Sequence, residues 1–239
     1  MIVSTLLLCV LSFGNINMPP SGEVPPTYIA QFNFPFILNI KLNDKIICVG
    51  TLYMDDVVLT PASCFRGKGH GLFSVWGKQN YPIDKIVVHE QFAQDGLNFN
   101  IALIKLKIPL EESPIVLDPG RIGLTLVDYG FMFGRTNGKF AYHAVPMFGY
   151  ILCQDKVSTE PYYEFCVGFP KYNQHILNYI RGSPILVSHQ NRTYLAGFFS
   201  RKRVTKKGVV DAPAVALRVS SFKQWIESTI ESMFTASFL

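Results

Sequence analysis

Short segments with the composition of β-strands, separated by turn residues, constrain the fold of this chain more than any other feature. They are rich in β-branched and aromatic residues, with Asn, Asp, Gly and Pro between them. Residues 220–231 differ, because apolar positions recur there at helical spacing after a serine cap. The pattern predicts an all-β protein with a C-terminal helix, which suits two barrels. The predicted strands cover residues 36–42, 45–49, 57–60, 75–76, 83–89, 101–106, 142–150, 185–187 and 194–200.

Length and composition exclude several classes of protein. The 239 residues are 49% hydrophobic, which is enough for one domain with a sizeable core and excludes a disordered or fibrous chain. A net charge of +5 is too small to indicate a nucleic-acid partner. No Cys-x-x-Cys pair occurs and no histidines have zinc-finger spacing, so we expect neither a metal nor another cofactor.

The N-terminus has the pattern of a secretory signal peptide. Residues 1–14 are apolar and uncharged, and the small residues Ser12 and Gly14 suit cleavage after Gly14. A buried first strand or a membrane anchor is the alternative, but the segment is too short to span a bilayer comfortably. Residues 15–27 contain four prolines and predict an extended arm before a domain at 28–239. We expect a secreted, extracellular protein with no membrane span in its mature chain.

The cysteines fit this localisation. Without Cys9, which lies in the signal peptide, an even set remains as two pairs along the chain: Cys48 with Cys64, and Cys153 with Cys166. Two local disulfides are predicted, each contributing about 3 kcal/mol in the chain-entropy model. Four buried free thiols in a cytosolic protein are the alternative, which the signal sequence disfavours.

Six blocks of sequence now point to a family. Phe-Pro-Phe stands at 34–36, CVGTL at 48–52, VLTPASC at 58–64, VHEQF with NFNIALIKL at 88–106, FCVG at 165–168 and ALRVSSFKQWI at 216–226. In order and spacing they resemble trypsin-like serine proteases of the chymotrypsin clan. The resemblance implies two six-stranded antiparallel Greek-key barrels, at about 36–120 and 121–220, followed by a C-terminal helix. It also places Cys153 at the family's distance before Cys166.

The same resemblance shows departures at all three positions of the catalytic triad. Ser63 stands where the family has its general base, a histidine, and Asn100 stands at the orienting aspartate. Arg181 falls at the nucleophilic serine, and a guanidinium cannot attack a carbonyl. Ser183, two residues further on, is the alternative nucleophile, although a small residue at a glycine position explains it as well.

Residues that support catalysis in the family also differ. Tyr179 replaces the glycine whose backbone helps to form the oxyanion hole, and Ile180 replaces the aspartate that pairs with a newly cut N-terminus. Residues 23–26, Glu-Val-Pro-Pro, fall where the family has Ile-Val-Gly-Gly. His175 corresponds to the floor of the specificity pocket. The sequence therefore indicates an inactive homologue.

Two surface motifs suggest other roles. Five basic residues lie within seven positions, in a loop that the family places beside the substrate pocket: Arg201, Lys202, Arg203, Lys206 and Lys207. They could bind a sulfated glycan or an acidic protein surface, or could simply be solvated. Asn191-Arg192-Thr193 is a glycosylation sequon in a turn-like stretch.

We expect a secreted protease homologue that binds an extracellular protein and regulates proteases of a cascade. An active endopeptidase that uses unusual residues is one alternative. A basic glycan-binding defence protein is another.

Overall fold

A computed structural model describes residues 27–28, 33–68, 72–92, 99–120, 127–136, 139–149, 162–168, 179–201 and 213–235. The strands are numbered β1 to β14 in chain order. The first barrel is closed and antiparallel, with the strand order β2-β3-β4-β7-β6-β5. Its strands are β2 (Ile37–Leu42), β3 (Lys45–Met54), β4 (Val57–Thr60), β5 (Phe73–Trp76), β6 (Asn80–Val88) and β7 (Ala102–Leu106).

The second barrel is a ring in the order β9-β10-β11-β14-β13-β12, and β12 returns to pair with β9. β1 (Thr27–Tyr28) pairs with β10, and β8 (Val116–Leu117) runs parallel to β13. The prediction of two six-stranded barrels is confirmed. The ring consists of β9 (Val127–Thr136), β10 (Lys139–Phe148), β11 (Glu164–Val167), β12 (Pro184–His189), β13 (Arg192–Arg201) and β14 (Ala214–Arg218).

The C-terminal helix is present, but it begins later than the sequence predicts. A one-turn 3₁₀ helix covers Val219–Phe222, and helix α1 covers Lys223–Thr235. The predicted serine cap is wrong. The 3₁₀ turn has no side-chain cap, and the Ser221 hydroxyl donates to the Tyr162 carbonyl instead. Because the chain leaves β14 directly into the 3₁₀ turn, α-helical geometry starts only at Lys223.

One apolar cluster runs through the seam between the barrels. It joins Leu59 and Leu103 of the first barrel to Phe133 and Phe198 of the second, and Ile226 of α1 packs into the same cluster. Phe34 closes the seam, with its ring centroid 4.5 Å from that of Phe133. Burying each of these side chains contributes about 1.5–3 kcal/mol. The two barrels are therefore packed against each other along the seam, which holds the residues at its rim in place.

Candidate functional site

Ser63 lies at the rim of the seam, in a 3₁₀ turn at Ala62–Cys64 that directly follows β4. The predicted disulfide between Cys48 and Cys64 is confirmed, and it ties this turn to β3. The Thr60 hydroxyl adds a second tie, since it donates to the Val49 carbonyl at 3.0 Å. The backbone around Ser63 is thus fixed from both sides.

The second disulfide is seen from one end only. Cys166 lies fully buried in β11 and is disulfide-bonded. Cys153, the partner that the sequence predicts, lies outside the described residues. The pairing of Cys153 with Cys166 therefore stays a prediction.

The three positions that the sequence assigns to the triad meet at the rim, together with Ser200 of β13. Asn100 Oδ1 accepts from the Ser63 backbone N–H at 2.8 Å, and Asn100 Nδ2 donates to Ser200 Oγ at 3.0 Å. Arg181 donates from Nη1 to the Ser63 carbonyl and from Nε to the Ser200 carbonyl, each at 3.3 Å. Both serines are therefore bridged twice, in a closed ring that we call the four-residue cluster.

The members of the four-residue cluster differ in exposure and charge. Ser63, Asn100 and Ser200 are buried, whereas Arg181 remains exposed. Partial burial lowers the pKa of the Arg181 guanidinium below its ordinary value, because desolvation disfavours the charged form. The buried Ser63 Oγ has no hydrogen-bond partner among the described residues. The cluster carries one positive charge, and none of its other three side chains can offset that charge.

Arg181 is positioned by a turn that crosses between the barrels. Its carbonyl accepts from the Val49 N–H at 2.9 Å, and the Gly182 N–H donates to the Phe199 carbonyl at 2.8 Å. Gly182 has a φ of 88°, and a Cβ there would lie 2.0 Å from the Val49 carbonyl oxygen. Only glycine combines that backbone conformation with so close an approach.

The neighbours of Arg181 point inward. The Tyr179 side chain packs in the core of the second barrel, and Ile180 packs partly buried at the seam. Ser183 is fully buried, and its hydroxyl donates to the Ile180 carbonyl at 2.7 Å. The Ser183 hydroxyl therefore faces the protein interior. His175 and residues 23–26 lie outside the described residues.

A groove of 630 Å³ adjoins Ser63. His89 stands at its base, stacked between Phe99 and Trp225 with ring centroids 4.9 and 4.7 Å away. Burial lowers the pKa of His89 below 6.5, and its Nδ1 accepts from the Gln91 N–H at 3.1 Å. The groove is lined by Ala62, Phe65, Arg66, Gly67, Val88, His89, Glu90 and Phe92.

Arg201, the first residue of the basic stretch, already has an acidic partner. Its Nη1 and Nη2 donate to the two carboxylate oxygens of Glu164, the second at 2.9 Å. Glu164 is 1% exposed, so this is a buried ion pair. Lys202, Arg203, Lys206 and Lys207 lie outside the described residues. Anion binding by this stretch stays a prediction, and it depends on those four residues.

Asn191 lies at the tip of the hairpin between β12 and β13. His189 pairs with Arg192, so the loop has only two residues, Gln190 and Asn191. Both have positive φ, 48° and 58°, as a type I′ turn requires. Asn191 is exposed. The sequon thus stands on an accessible turn, and its glycosylation stays a prediction.

A metal ion has no ready ligands here. Within the described part of the chain, no three His, Cys, Asp or Glu side chains come close enough to hold one. Among the same residues, no helix is long and apolar enough to cross a membrane.

Comparison with known proteins decides the family. A model of the Trypsin family matches residues 26–226. This chain belongs to the trypsin family. Trypsin-1 of Astacus astacus is 25% identical over 208 residues, which cover 76% of this chain and 86% of that protein. The urokinase-type plasminogen activator of Gallus gallus is 24% identical over 83% of this chain, and trypsin iota of Drosophila melanogaster is 29% identical over 33% of it. The chain spans 54% of the activator and 34% of trypsin iota.

Ser200 is the one residue of the cluster that sequence reasoning does not single out. It lies 100 positions after Asn100, as the next-to-last residue of β13, and it follows the hydrophobic residues Phe198 and Phe199. No local motif marks it. Only pairing β13 with β14, and placing both beside Asn100, shows that its hydroxyl and carbonyl complete the ring.

Proposed function

We propose that this chain is a secreted, catalytically inactive serine-protease homologue that binds another extracellular protein and thereby regulates active proteases of a cascade. The observation that carries the proposal is the four-residue cluster. In a Ser-His-Asp triad, a histidine takes the proton of the nucleophile and an aspartate stabilises the resulting imidazolium. Here a serine, an amide and a guanidinium occupy these positions, and both Asn100 and Arg181 hydrogen-bond to Ser63 and to Ser200.

The chemistry of the cluster supports an inactive protein. Arg181 cannot act as a nucleophile or as a base, because its guanidinium stays protonated at physiological pH. The amide of Asn100 cannot stabilise an imidazolium as a carboxylate does. Disabling a serine-protease triad lowers turnover by about a millionfold. Such a loss leaves no useful enzyme unless another nucleophile replaces the missing one.

Ser183 is the candidate replacement, and its environment argues against it. The hydroxyl donates to a carbonyl of its own turn, and a Cβ at Gly134 would lie only 2.2 Å from Ser183 Oγ. A nucleophile needs an adjacent base and open access for its substrate. Ser183 has neither among the described residues.

The disulfide between Cys48 and Cys64 supports secretion, because disulfides persist in oxidising compartments. The predicted signal peptide supports it independently. A protein held by a disulfide and a packed seam offers a rigid surface, which suits a binding role.

A fluorophosphonate probe tests the loss of catalysis. Purified mature protein and an active trypsin are treated in parallel, and the labelled residue is mapped by mass spectrometry. We expect trypsin to be labelled and this chain to remain unmodified. Labelling at Ser183, together with hydrolysis of a peptide substrate that stops in Ser183→Ala, would contradict the proposal.

Capture from the extracellular fluid in which the protein occurs tests the binding role. The captured protein is then purified, and its affinity for this chain is measured by calorimetry. A stoichiometric complex, and altered activity of a protease in its presence, are the expected results. If no captured protein binds this chain once purified, the proposed binding role is overturned.

A further inference from the structure

Arg181 presents a guanidinium edge to solvent at the rim of the seam. We propose that this edge is the anchor of a carboxylate-binding site, whose ligand is an aspartate or glutamate side chain in an extended segment of the partner protein. The inference rests on the proposed function, because it names the chemistry by which the partner is recognised. It concerns the position where an active relative would carry its nucleophile.

Only some of the N–H donors of the Arg181 guanidinium are used within the described structure. A guanidinium has five N–H donors. One donor on Nε reaches the Ser200 carbonyl and one on Nη1 reaches the Ser63 carbonyl. Among the described residues, no acceptor receives the other three. Arg181 is exposed, so these donors can meet a ligand.

The two carbonyls also fix the orientation of the guanidinium. Ser63 lies in a turn held by a disulfide, and Ser200 lies in a strand of the second barrel. Because both acceptors are rigid, little side-chain entropy remains to be lost when a ligand binds. A fixed, planar pair of donors matches the two oxygens of a carboxylate.

No acid in the described structure neutralises Arg181. Three other cations of the described residues pair with acids: Arg201 with Glu164, Lys105 with Asp56, and Lys78 with Glu112. The groups that Arg181 contacts in the four-residue cluster are the carbonyls of Ser63 and Ser200, which carry no formal charge. Among the described residues no acid compensates the desolvation of the guanidinium, and a carboxylate of a partner would compensate it.

The surroundings suit an acidic peptide segment. Arg66 and Lys68 are exposed just after the turn that holds Ser63, so the rim is basic. Phe65 and Phe92 add apolar surface in the adjoining groove. Glu90 also lines that groove, where its carboxylate accepts from Trp225 Nε1 at 2.8 Å and keeps its negative charge, so the acidic residue of the ligand lies at Arg181 and away from Glu90. A segment with an acidic residue flanked by apolar ones fits this distribution.

Nitrogen-15 labelled protein provides the test, with the Arg181 Nε–Hε signal as the readout. Three probes are titrated: the amidated peptide Ac-Ala-Ala-Glu-Ala-Ala-NH2, its Gln counterpart, and the free acid Ac-Ala-Ala-Ala. We expect the Glu peptide to shift the Arg181 signal saturably, with an affinity about tenfold above that of the Gln peptide. Equal affinities would overturn the proposal without recourse to any variant.

Variants sharpen the assignment to one side chain. Arg181→Gln should abolish binding of the Glu peptide, and Arg181→Lys should weaken it about threefold to tenfold because the planar fork is lost. Arg192→Gln removes the same charge from an exposed position at the β12–β13 hairpin and should change nothing. Unchanged affinity in Arg181→Gln, with its fold verified by circular dichroism, would overturn the proposal.

Two further outcomes would also overturn it. Tighter binding of the free acid Ac-Ala-Ala-Ala would assign the site to a chain terminus rather than to an acidic side chain. A heparin hexasaccharide that shifts Arg181 more strongly than the Glu peptide does would assign it to a glycan. If Arg181→Gln still binds the captured partner and the fluorophosphonate fails to react, the carboxylate site is refuted while the proposed function stands.

Discussion

Two arginines lie at the end of β13, and they differ in the groups to which they donate. Arg181 donates to the carbonyl of Ser200, whereas Arg201, the next residue along the strand, donates with two nitrogens to the buried carboxylate of Glu164. Arg201 is neutralised by the chain and serves the fold. Arg181 is oriented by two carbonyls, and no acid among the described residues pairs with it. An arginine held only by carbonyls is therefore a better candidate for ligand binding than one that has a buried acid.

The largest expected effect comes from removing the acid beside Arg201. Glu164→Gln leaves a guanidinium that is 19% exposed without its counter-charge, so we expect a loss of about 3 kcal/mol in the free energy of unfolding. Urea denaturation measures it. Glu112→Gln is the matched control: its partner Lys78 is 68% exposed, so solvent screens the pair and the loss should be much smaller. Equal losses would show that Arg201 depends on its acid no more than an exposed lysine does.

The next effect concerns the turn that holds Arg181. Gly182→Ala adds a Cβ at positive φ, 2.0 Å from the Val49 carbonyl oxygen, and should cost at least about 2 kcal/mol. Gly67→Ala has a similar φ of 65° but no atom within 4 Å, so it should cost only about 1 kcal/mol. Thermal unfolding of both variants gives the comparison. If Gly182→Ala is no worse than Gly67→Ala, the turn is less rigid than the structure indicates.

A third change would make Arg181 resemble Arg201. Asn100→Asp places a carboxylate in the four-residue cluster, where it can neutralise the guanidinium. We expect the affinity for the Glu peptide to fall about tenfold, or roughly 1.4 kcal/mol, in the same titration. Asn80→Asp, at an exposed position of β6, adds the same charge elsewhere and should leave the affinity unchanged. Undiminished binding in Asn100→Asp would show that the absence of an acid is irrelevant to Arg181.

The smallest expected effect is the pH dependence of stability that comes from His89, which unlike the arginines titrates near neutral pH. His89 has a folded pKa below its ordinary value of 6.5, so the unfolded chain binds the proton more tightly. The contribution of His89 to the free energy of unfolding is therefore fully present above pH 6.5. It is lost as the pH falls from 6.5 toward the folded pKa. Protonation also opposes the N–H of Gln91, which donates to His89 Nδ1.

Urea midpoints at pH 7.5 and 5.5 measure this dependence. The midpoint of the wild type should fall more on acidification than that of His89→Phe, which keeps an aromatic ring between Phe99 and Trp225. The arginines stay protonated at both values and contribute nothing to the difference. A parallel decline of both proteins would exclude His89 as the source.

Most of the first barrel could be predicted from the sequence, because its strands are short segments rich in β-branched and other apolar residues, separated by turn residues. Three strands of the second barrel were not predicted: β9, β11 and β14. In β9, Gly130 and Gly134 interrupt the apolar pattern, and both face close neighbours: a Cβ at Gly130 would lie 3.0 Å from the Leu186 carbonyl oxygen. β11 and β14 are short and buried throughout, so they lack the alternation that marks a half-exposed strand.

The sequence predicted which residues stand at the three triad positions, but it did not predict the hydrogen bonds that they make. The family resemblance located Ser63, Asn100 and Arg181, because the blocks around them keep their order. It could not show that Ser200 joins them, or that Arg201 is neutralised by Glu164, since both contacts link residues of strands far apart in sequence. Such contacts depend on strand order and register, which a motif does not contain.

The uncompensated charge on Arg181 has a consequence for kinetics. At physiological ionic strength the Debye length is about 8 Å, so a charge at the rim attracts an acidic segment only over the last steps of its approach. Together with the exposed Arg66, it should raise the association rate more than it prolongs the complex. A protein that meets its partner in a dilute fluid gains from this, because capture depends on productive encounters before it depends on residence time.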